Sequence, residues 1–338
     1  MRSHTRRDAL RIGALAASSG LLLGGCASGP ATSESASKTV TIAQLNPFQA
    51  ADYLPQIAQE KGFFQEEGIT AKFVASPQNP ITPLLAGDVD VAITGVNGMA
   101  AIEQNQEVRF IAGFPQRMAM SLVVPASSPV ADLAGKWPQA LEALKGKNIG
   151  VTVPGALVDN LAHAMLINAG LSDKDIKVTP AGDGSSLVAG LSQGTFDSGL
   201  VPSPLFEPLV DKGIVVQVIN LYDGQVPGLN LPIATPIVSA KWAEKNPILV
   251  AGYQRAVAKA NQWALDPAHN DELTQIVAKK LGVAPDTITG PIKTFRAALG
   301  NSVEFTQQQF ETAVKMLRDN GVLTRDLAYV DYVLPFKG

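Results

Sequence analysis

The sequence predicts an α/β protein made of two similar units in series, followed by a helical tail. Short β-prone runs alternate with stretches of helical period between residues 39 and 219, a pattern typical of right-handed βαβ units on a mainly parallel sheet. The heptapeptide Leu-Leu-Ala-Gly-Asp-Val-Asp at 84–90 has a counterpart at 191–197, Leu-Ser-Gln-Gly-Thr-Phe-Asp. Residues 241–320 are almost entirely helical in period.

The first unit begins with a β-prone run at 40–43 and a helical stretch that stops at Gly62, because glycine favours helix C-caps. Asp88 and Asp90 are expected to form a turn rather than to catalyse. The strands of the first unit are predicted at 40–43, 69–74, 89–94 and 108–112, and the helices of this unit at 51–62, 81–86 and 99–104.

The second unit starts after the apolar run at 118–124 and repeats the alternation. Its strands are predicted at 148–153, 176–180, 198–201 and 214–219, and its helices at 156–168, 185–192 and 204–212. About 310 residues are too many for one comfortable core, which also favours two lobes.

The N-terminal 25 residues are typical of a secretory signal. Four arginines precede an uncharged stretch at 12–25 that is shorter than the roughly 20 residues of a membrane span. Leu23-Gly24-Gly25-Cys26 resembles the lipobox of bacterial lipoproteins, which implies cleavage before Cys26 and attachment of diacylglycerol to its sulfur. A secretory signal with an incidental cysteine is the alternative. Thr5–Arg11 resembles a twin-arginine export signal, although Ala9 departs from it and leaves the general secretory route open.

Residues 26–38 are small and polar, and are expected to form a flexible linker behind the lipid anchor. The whole chain has 27 Lys and Arg and 30 Asp and Glu; residues 1–25 contain four of the former and one of the latter, so the mature chain carries a net charge of −6. This balance gives no basic patch for nucleic acid. Because of the signal and the lipobox-like stretch, the chain is expected to be exported, anchored to the cell membrane by lipid, and to face the periplasm or the cell exterior.

Five stretches resemble one family. They are LPQIAQEKGFFQEEGITAKFV, LLAGDVDVAITG, LKGKNIGVTVPG, LSQGTFDSGLVPSPLFEPLVDKG and NPILVAGYQRAVAKANQWALDPAHNDELTQIVAKKLGV, in this order. In this arrangement they are similar to the solute-binding proteins of bacterial ABC importers for sulfonates, taurine, nitrate, thiamine-precursor pyrimidines and aromatic acids (the SsuA/THI5-like family).

The resemblance implies a two-lobed periplasmic-binding-protein fold of type II. Lobe 1 would comprise 39–121 and 226–338, and lobe 2 would comprise 122–225. It further implies a monomer that binds a small molecule in the interlobe cleft, needs no cofactor or metal, and delivers the solute to a permease and, through the permease, to its ATPase.

Ligands of such folds bind beside the carboxyl ends of strands and the helix N-termini that follow them. The loops at these positions give the candidate ligand-binding residues Asn46, Phe48, Gln49, Gln78, Asn79, Thr94, Gly95, Asn97, Gly155, Ala156, Asp183, Ser185, Ser186 and Ser203. Phe48 is placed to stack on a planar ligand or to fill the core. Arg117 is the candidate cation for an acidic ligand, or else a surface residue.

The ligand is expected to be organic, planar or aromatic, and possibly to carry a sulfonate or carboxylate. Family members that take sulfonates or nitrate have hydroxyl residues where Ala156, Leu157 and Val158 stand here, so a small oxyanion would be poorly held. Asp159 either meets a ligand amine or pairs with His163 one helical turn later.

Two other functions are open alternatives. A thiamine-pyrimidine synthase with the same fold relies on an active-site histidine and a cysteine-rich segment. The mature chain has only His163, His269 and Cys26 of these residue types, so no enzyme is expected. A surface lipoprotein receptor without a role in transport is the other alternative.

Overall fold

A computed structural model describes residues 38–44, 49–76 and 80–337. The predicted signal, Cys26 and the linker up to residue 37 lie outside the described residues. Ten strands lie within the described ranges: β1 Lys38–Gln44, β2 Ile69–Ala75, β3 Val91–Ala92, β4 Val108–Phe110, β5 Met120–Pro125, β6 Asn148–Val151, β7 Lys177–Pro180, β8 Ser198–Pro202, β9 Val215–Asn220 and β10 Ile237–Ser239.

The strands form two five-stranded sheets, one in the order β2-β1-β3-β10-β4 and the other in the order β7-β6-β8-β5-β9. In the first sheet β1 is parallel to β2 and β3, with Ile42 opposite Phe73 and Val91, whereas β10 is antiparallel to both of its neighbours. In the second sheet β6 is parallel to β7 and β8, whereas β5 is antiparallel to β8 and β9. The predicted pair of mainly parallel sheets is confirmed, with one reversed strand in each.

The predicted alternation of helices and the helical tail are confirmed as well. The α-helices of the described residues are α1 Tyr53–Glu60, α2 Phe63–Glu66, α3 Ile81–Ala86, α4 Met99–Glu103, α5 Gln139–Glu142, α6 Leu157–Asn168, α7 Gly184–Ser192, α8 Glu207–Asp211, α9 Ala240–Lys245, α10 Pro247–Leu265, α11 Asn270–Leu281, α12 Thr289–Ala298, α13 Gln307–Asp319 and α14 Tyr329–Tyr332. Within this part of the chain, no helix is both long and apolar enough to cross a membrane.

Aromatic side chains join the helical tail to helices α1 and α2. The ring of Tyr53 at the start of α1 lies 5.0 Å from that of Phe295 on α12, and Phe64 lies 5.7 Å from Tyr253 on α10. All four residues are fully or almost fully buried. Gly62 lies between α1 and α2 at a φ of 76°, which glycine adopts without strain. This geometry turns the chain so that Phe64 enters the core.

The last residue of the heptapeptide, Asp90 in the first copy and Asp197 in the second, has the same role in both sheets. The carboxylate of Asp90 accepts a hydrogen bond of 2.8 Å from the backbone N–H of Thr41 on β1. That of Asp197 accepts one of 3.0 Å from Asn148 on β6. Each carboxylate therefore binds the neighbouring strand, which agrees with the expectation that these acidic residues are structural.

We expect Asp90→Ala to lower the free energy of unfolding by about 1–3 kcal/mol, because it leaves a part-buried N–H without its charged acceptor. Asp88→Ala removes an exposed carboxylate from the same turn and is the matched control. Urea denaturation of both variants measures the difference. Equal stability of the two variants would contradict the structural role of Asp90.

Candidate functional site

The loops at the carboxyl ends of the two sheets meet through a direct contact. Asn97 follows β3 of the first sheet, and its side-chain amide donates a 2.9 Å hydrogen bond to the carbonyl of Gly155, which follows β6 of the second. A methyl group on Gly95 would lie 3.1 Å from Cδ2 of Leu157. The structure thus brings together three of the predicted site residues, Gly95, Asn97 and Gly155.

The start of helix α6 is held by side chains of the helix itself. The N–H of Gly155 donates to the carboxylate of Asp159 at 2.8 Å, and the amide of Asn160 donates to the Gly155 carbonyl at 3.0 Å. Ala156 is the N-cap and contributes no side-chain hydrogen bond. The other oxygen of Asp159 lies 3.6 Å from Nε2 of His163. The predicted pair with His163 is therefore formed, and the carboxylate also occupies one of the N–H groups that would hold an anion.

Helix α7 begins in a similar way. Asp183 is its N-cap, and the carboxylate accepts a 2.6 Å hydrogen bond from the N–H of Ser186. This bond holds the pKa of Asp183 below its ordinary value. Ser185 and Ser186 are exposed. Because Asp159 and Asp183 each bring a negative charge to a helix N-terminus, an anionic ligand gains little from either helix dipole.

Three more predicted residues are held by hydrogen bonds within the fold. Gln49 donates its N–H to the carboxylate of Asp52 at 3.2 Å, just before α1. The hydroxyl of Thr94 donates to the carbonyl of Thr235 at 2.7 Å and holds the end of β3. Ser203 directly follows β8, is almost fully buried, and donates its N–H to Ala119 at 2.9 Å. These contacts fix the loops of the site.

Arg117 is committed to the backbone. Its guanidinium donates to the carbonyl of Ala297 at 3.1 Å and to that of Tyr222 at 3.4 Å. It therefore ties the end of α12 to the segment after β9, which agrees with a structural role. The remaining predicted residues Asn46, Phe48, Gln78 and Asn79 lie outside the described residues, so their place in the site stays a prediction.

The structure adds a buried polar cluster that the sequence did not indicate, formed by Tyr53, Ser203, Glu207 and Thr294. Glu207 begins α8 and is 5% exposed. Burial raises the pKa of its carboxyl above the ordinary value, and hydrogen bonding to the hydroxyls of Ser203 and Thr294 offsets only part of this effect. The pKa of Tyr53 is also raised, first by burial and then by the charges of Glu207 and Asp52. The cluster lies where the segment after β8 meets α1 and α12.

The comparisons with known proteins agree with this architecture. The chain is 33% identical over 135 residues to the nitrate/nitrite binding protein NrtA of Synechococcus elongatus, a match that covers 38% of this chain and 28% of the relative. It is 31% identical over 137 residues to a putative thiamine biosynthesis protein of Haemophilus influenzae, covering 40% of each chain. Each match thus spans less than half of the curated relative.

Among solved structures, the fold is similar to that of the periplasmic aliphatic sulphonate binding protein SsuA from Escherichia coli. The TM-score is 0.69 at 18% identity, and the match covers 88% of this chain and 92% of that one. The model of the NMT1/THI5 like family matches residues 53–270, which is more than half of the sequence. On this match, the chain belongs to the NMT1/THI5-like family.

Proposed function

We propose that the protein is the extracytoplasmic solute-binding component of an ABC importer. In this role it captures a small organic solute between two lobes, 39–121 with 226–338 and 122–225, and delivers it to the permease. The observation that carries the proposal is the hydrogen bond from Asn97 to Gly155, because it joins the strand-end loops of two separate sheets. Ligands of open α/β sheets bind at this edge.

The proposed mechanism is closure of two walls around the solute. Binding energy comes from apolar surface and a few placed polar groups, as in most small-molecule sites. Closure then buries the solute between the strand-end loops of the two lobes. The protein is proposed to act as a monomer, tethered through lipid on Cys26, and to reach the ATPase only through the permease.

An enzymatic role has less support from the described residues. Nδ1 of His163 lies 3.0 Å from the carboxylate of Asp173, and Asp159 flanks its other nitrogen. His269 stacks on Trp263 with ring centroids 4.6 Å apart, and its Nδ1 is 2.9 Å from the Trp263 carbonyl. Neither histidine lies in a strand-end loop, because His163 is within α6 and His269 follows α10, so both fit structural roles. The similarity to a putative thiamine biosynthesis protein keeps a pyrimidine among the solutes to test.

Calorimetry and thermal melting of the purified protein against a solute panel test the proposal. The panel contains nitrate, taurine, alkyl and aryl sulfonates, aromatic acids, pyrimidines and aromatic amines. A bound solute should raise the melting temperature, because binding to the folded state alone stabilises it. No binding and no shift across the whole panel would contradict a solute-binding role.

We expect Phe48→Ala to weaken binding of a planar panel member about 5- to 150-fold, which corresponds to the roughly 1–3 kcal/mol of an aromatic stacking contact. Phe63→Ala, which truncates a half-buried ring beyond the end of α1, is the control. Calorimetric dissociation constants of both variants give the comparison. An affinity that does not change in Phe48→Ala would rule out stacking on this ring.

A further inference from the structure

Helix α13 of the tail packs with the first sheet, whereas helix α6 packs with the second. The ring of Phe310 on α13 lies 6.3 Å from that of Phe110 on β4, and both rings are fully buried. Helix α6 contacts β6, β7 and β8. A contact between α6 and α13 therefore joins the two parts of the chain that carry the two sheets.

Asn320 makes a contact of this kind. It is the residue at which α13 ends, and its Nδ2 group donates a 2.7 Å hydrogen bond to the backbone carbonyl of Asn160, near the start of α6. The same group lies 3.4 Å from Oδ1 of Asn160. Asn160 is 3% exposed, so the bond is largely shielded from water, and such a bond is stronger than one at the surface.

Asn160 connects Asn320 to the loop that follows β6. Nδ2 of Asn160 donates to the carbonyl of Gly155 at 3.0 Å, and the same carbonyl accepts the 2.9 Å bond from Asn97. A carbonyl oxygen has two lone pairs, so both are used. The N–H of Gly155 is taken by Asp159. The backbone groups of Gly155 are thus engaged within the protein and are not available to a solute.

Leu157 adds an apolar contact at the same place. A methyl group on Gly95, which follows β3, would lie 3.1 Å from Cδ2 of Leu157, so this leucine packs closely against the backbone of the first sheet's loop. Farther along the two helices, a cavity of about 340 Å³ is lined by Ala164 on α6 and by Met316 on α13. The close contacts of α6 with the first sheet and the tail are therefore concentrated at the start of α6.

We propose that residues 155–160, at the start of α6, form a clasp between the two lobes, and that Asn320 is the positioning residue of this clasp. The inference rests on the proposed function and deepens it, because the clasp sets how tightly a solute is held without touching the solute. A hydrogen bond that joins the two lobes is made only when they are closed, so it raises the fraction of the protein in the closed form. The apparent dissociation constant rises in proportion as that fraction falls.

Amide hydrogen exchange of the purified protein without solute tests the clasp itself. Asn320→Ala should raise the exchange rate of residues 155–160 at least about threefold, because the loop and the first turn of α6 lose a hydrogen bond that holds them. Asn246→Ala is the matched control. Asn246 also ends a helix, α9, but its Nδ2 group donates to Trp242 within that helix at 3.0 Å. Exchange of residues 155–160 should not change in this variant.

Calorimetry then measures the effect on binding. It uses every panel member that binds the parent, with benzenesulfonate, 4-aminopyrimidine and taurine as representatives of three charge types. Asn320→Ala should weaken all of the bound compounds by the same factor, about three- to tenfold, because the clasp contacts none of them. Asn246→Ala should change the affinities less than about twofold.

Asn320→Asp separates the hydrogen bond from the volume of the side chain. The variant keeps the size of the asparagine but has no N–H donor, and at pH 7 it turns a carboxylate toward two oxygen atoms of Asn160. We expect it to weaken binding at least as much as Asn320→Ala does. A role of Asn320 in packing alone would leave the affinity of Asn320→Asp close to that of the parent.

The inference has distinct contradicting results. Unchanged exchange of residues 155–160 in Asn320→Ala would overturn it and leave the proposed function intact. Full affinity in Asn320→Asp would also overturn it, and so would a loss confined to one of several bound compounds, since Asn320 would then act on that solute directly. If no panel member binds at all, the proposed function fails and the inference fails with it.

Discussion

Replacing Phe295 with alanine is expected to lower the free energy of unfolding by about 3–5 kcal/mol, the usual cost of truncating a fully buried phenylalanine. Phe295 is 0% exposed on α12, and its ring contacts that of Tyr53 with centroids 5.0 Å apart. The substitution leaves a cavity between α12 and α1, and the surrounding helices relax only in part. Urea denaturation, followed by circular dichroism, measures the loss.

Phe63→Ala again supplies the comparison, because this ring is half-buried and its loss creates a smaller cavity. The same experiment bears on the site, since Thr294 precedes Phe295 on the helix that faces Glu207. We therefore expect Phe295→Ala to weaken solute binding as well. A loss of stability no greater than that of Phe63→Ala would show that α12 is not packed on α1 as the structure has it.

The second large effect is expected at Cys26, the proposed lipid attachment point. Cys26→Ala should move nearly all of the protein from the membrane fraction to the soluble fraction, because each buried CH₂ of an acyl chain contributes about 0.8 kcal/mol to membrane binding. Ser28→Ala, two residues later, leaves the thiol intact and should stay with the membrane.

The intact mass of the parent protein is an independent measurement. It should equal that of a chain that begins at Cys26 and carries lipid on this residue. Membrane retention of Cys26→Ala would contradict lipid anchoring through this residue. So would a parent protein that is unmodified and begins elsewhere. Either outcome leaves the solute-binding proposal untouched, because the tether and the cleft are separate parts of the chain.

Local signals were sufficient to predict most of the fold. The repeated heptapeptide predicted two similar units, and its last residue, Asp90 or Asp197, accepts a matching backbone hydrogen bond in each. Strands β5 and β10 were not predicted, and both pair antiparallel with their neighbours. The shorter of the two, β10, lies between β3 and β4. Its partners lie more than 120 residues earlier in the chain, so no local pattern indicates the pairing.

The candidate site was predictable only where short-range sequence rules apply. The i,i+4 spacing of Asp159 and His163 predicted their pairing, and the strand-end rule found Asn97 and Gly155. Glu207 was read as part of an ordinary helix. Its burial depends on α12, more than 80 residues later, where a methyl group on Gly290 would lie 3.2 Å from Cβ of Glu207. Such long-range packing leaves no signal in local sequence.

Small-angle X-ray scattering with and without bound solute tests the central claim of the account most directly. The measurement uses the panel compound that raises the melting temperature most, added at saturation to the purified protein. A two-lobed binder that closes on its solute should show a smaller radius of gyration with that compound, and Asn97→Ala should lessen the change by removing the hydrogen bond to Gly155. An unchanged radius at full occupancy would contradict closure of the cleft around the solute.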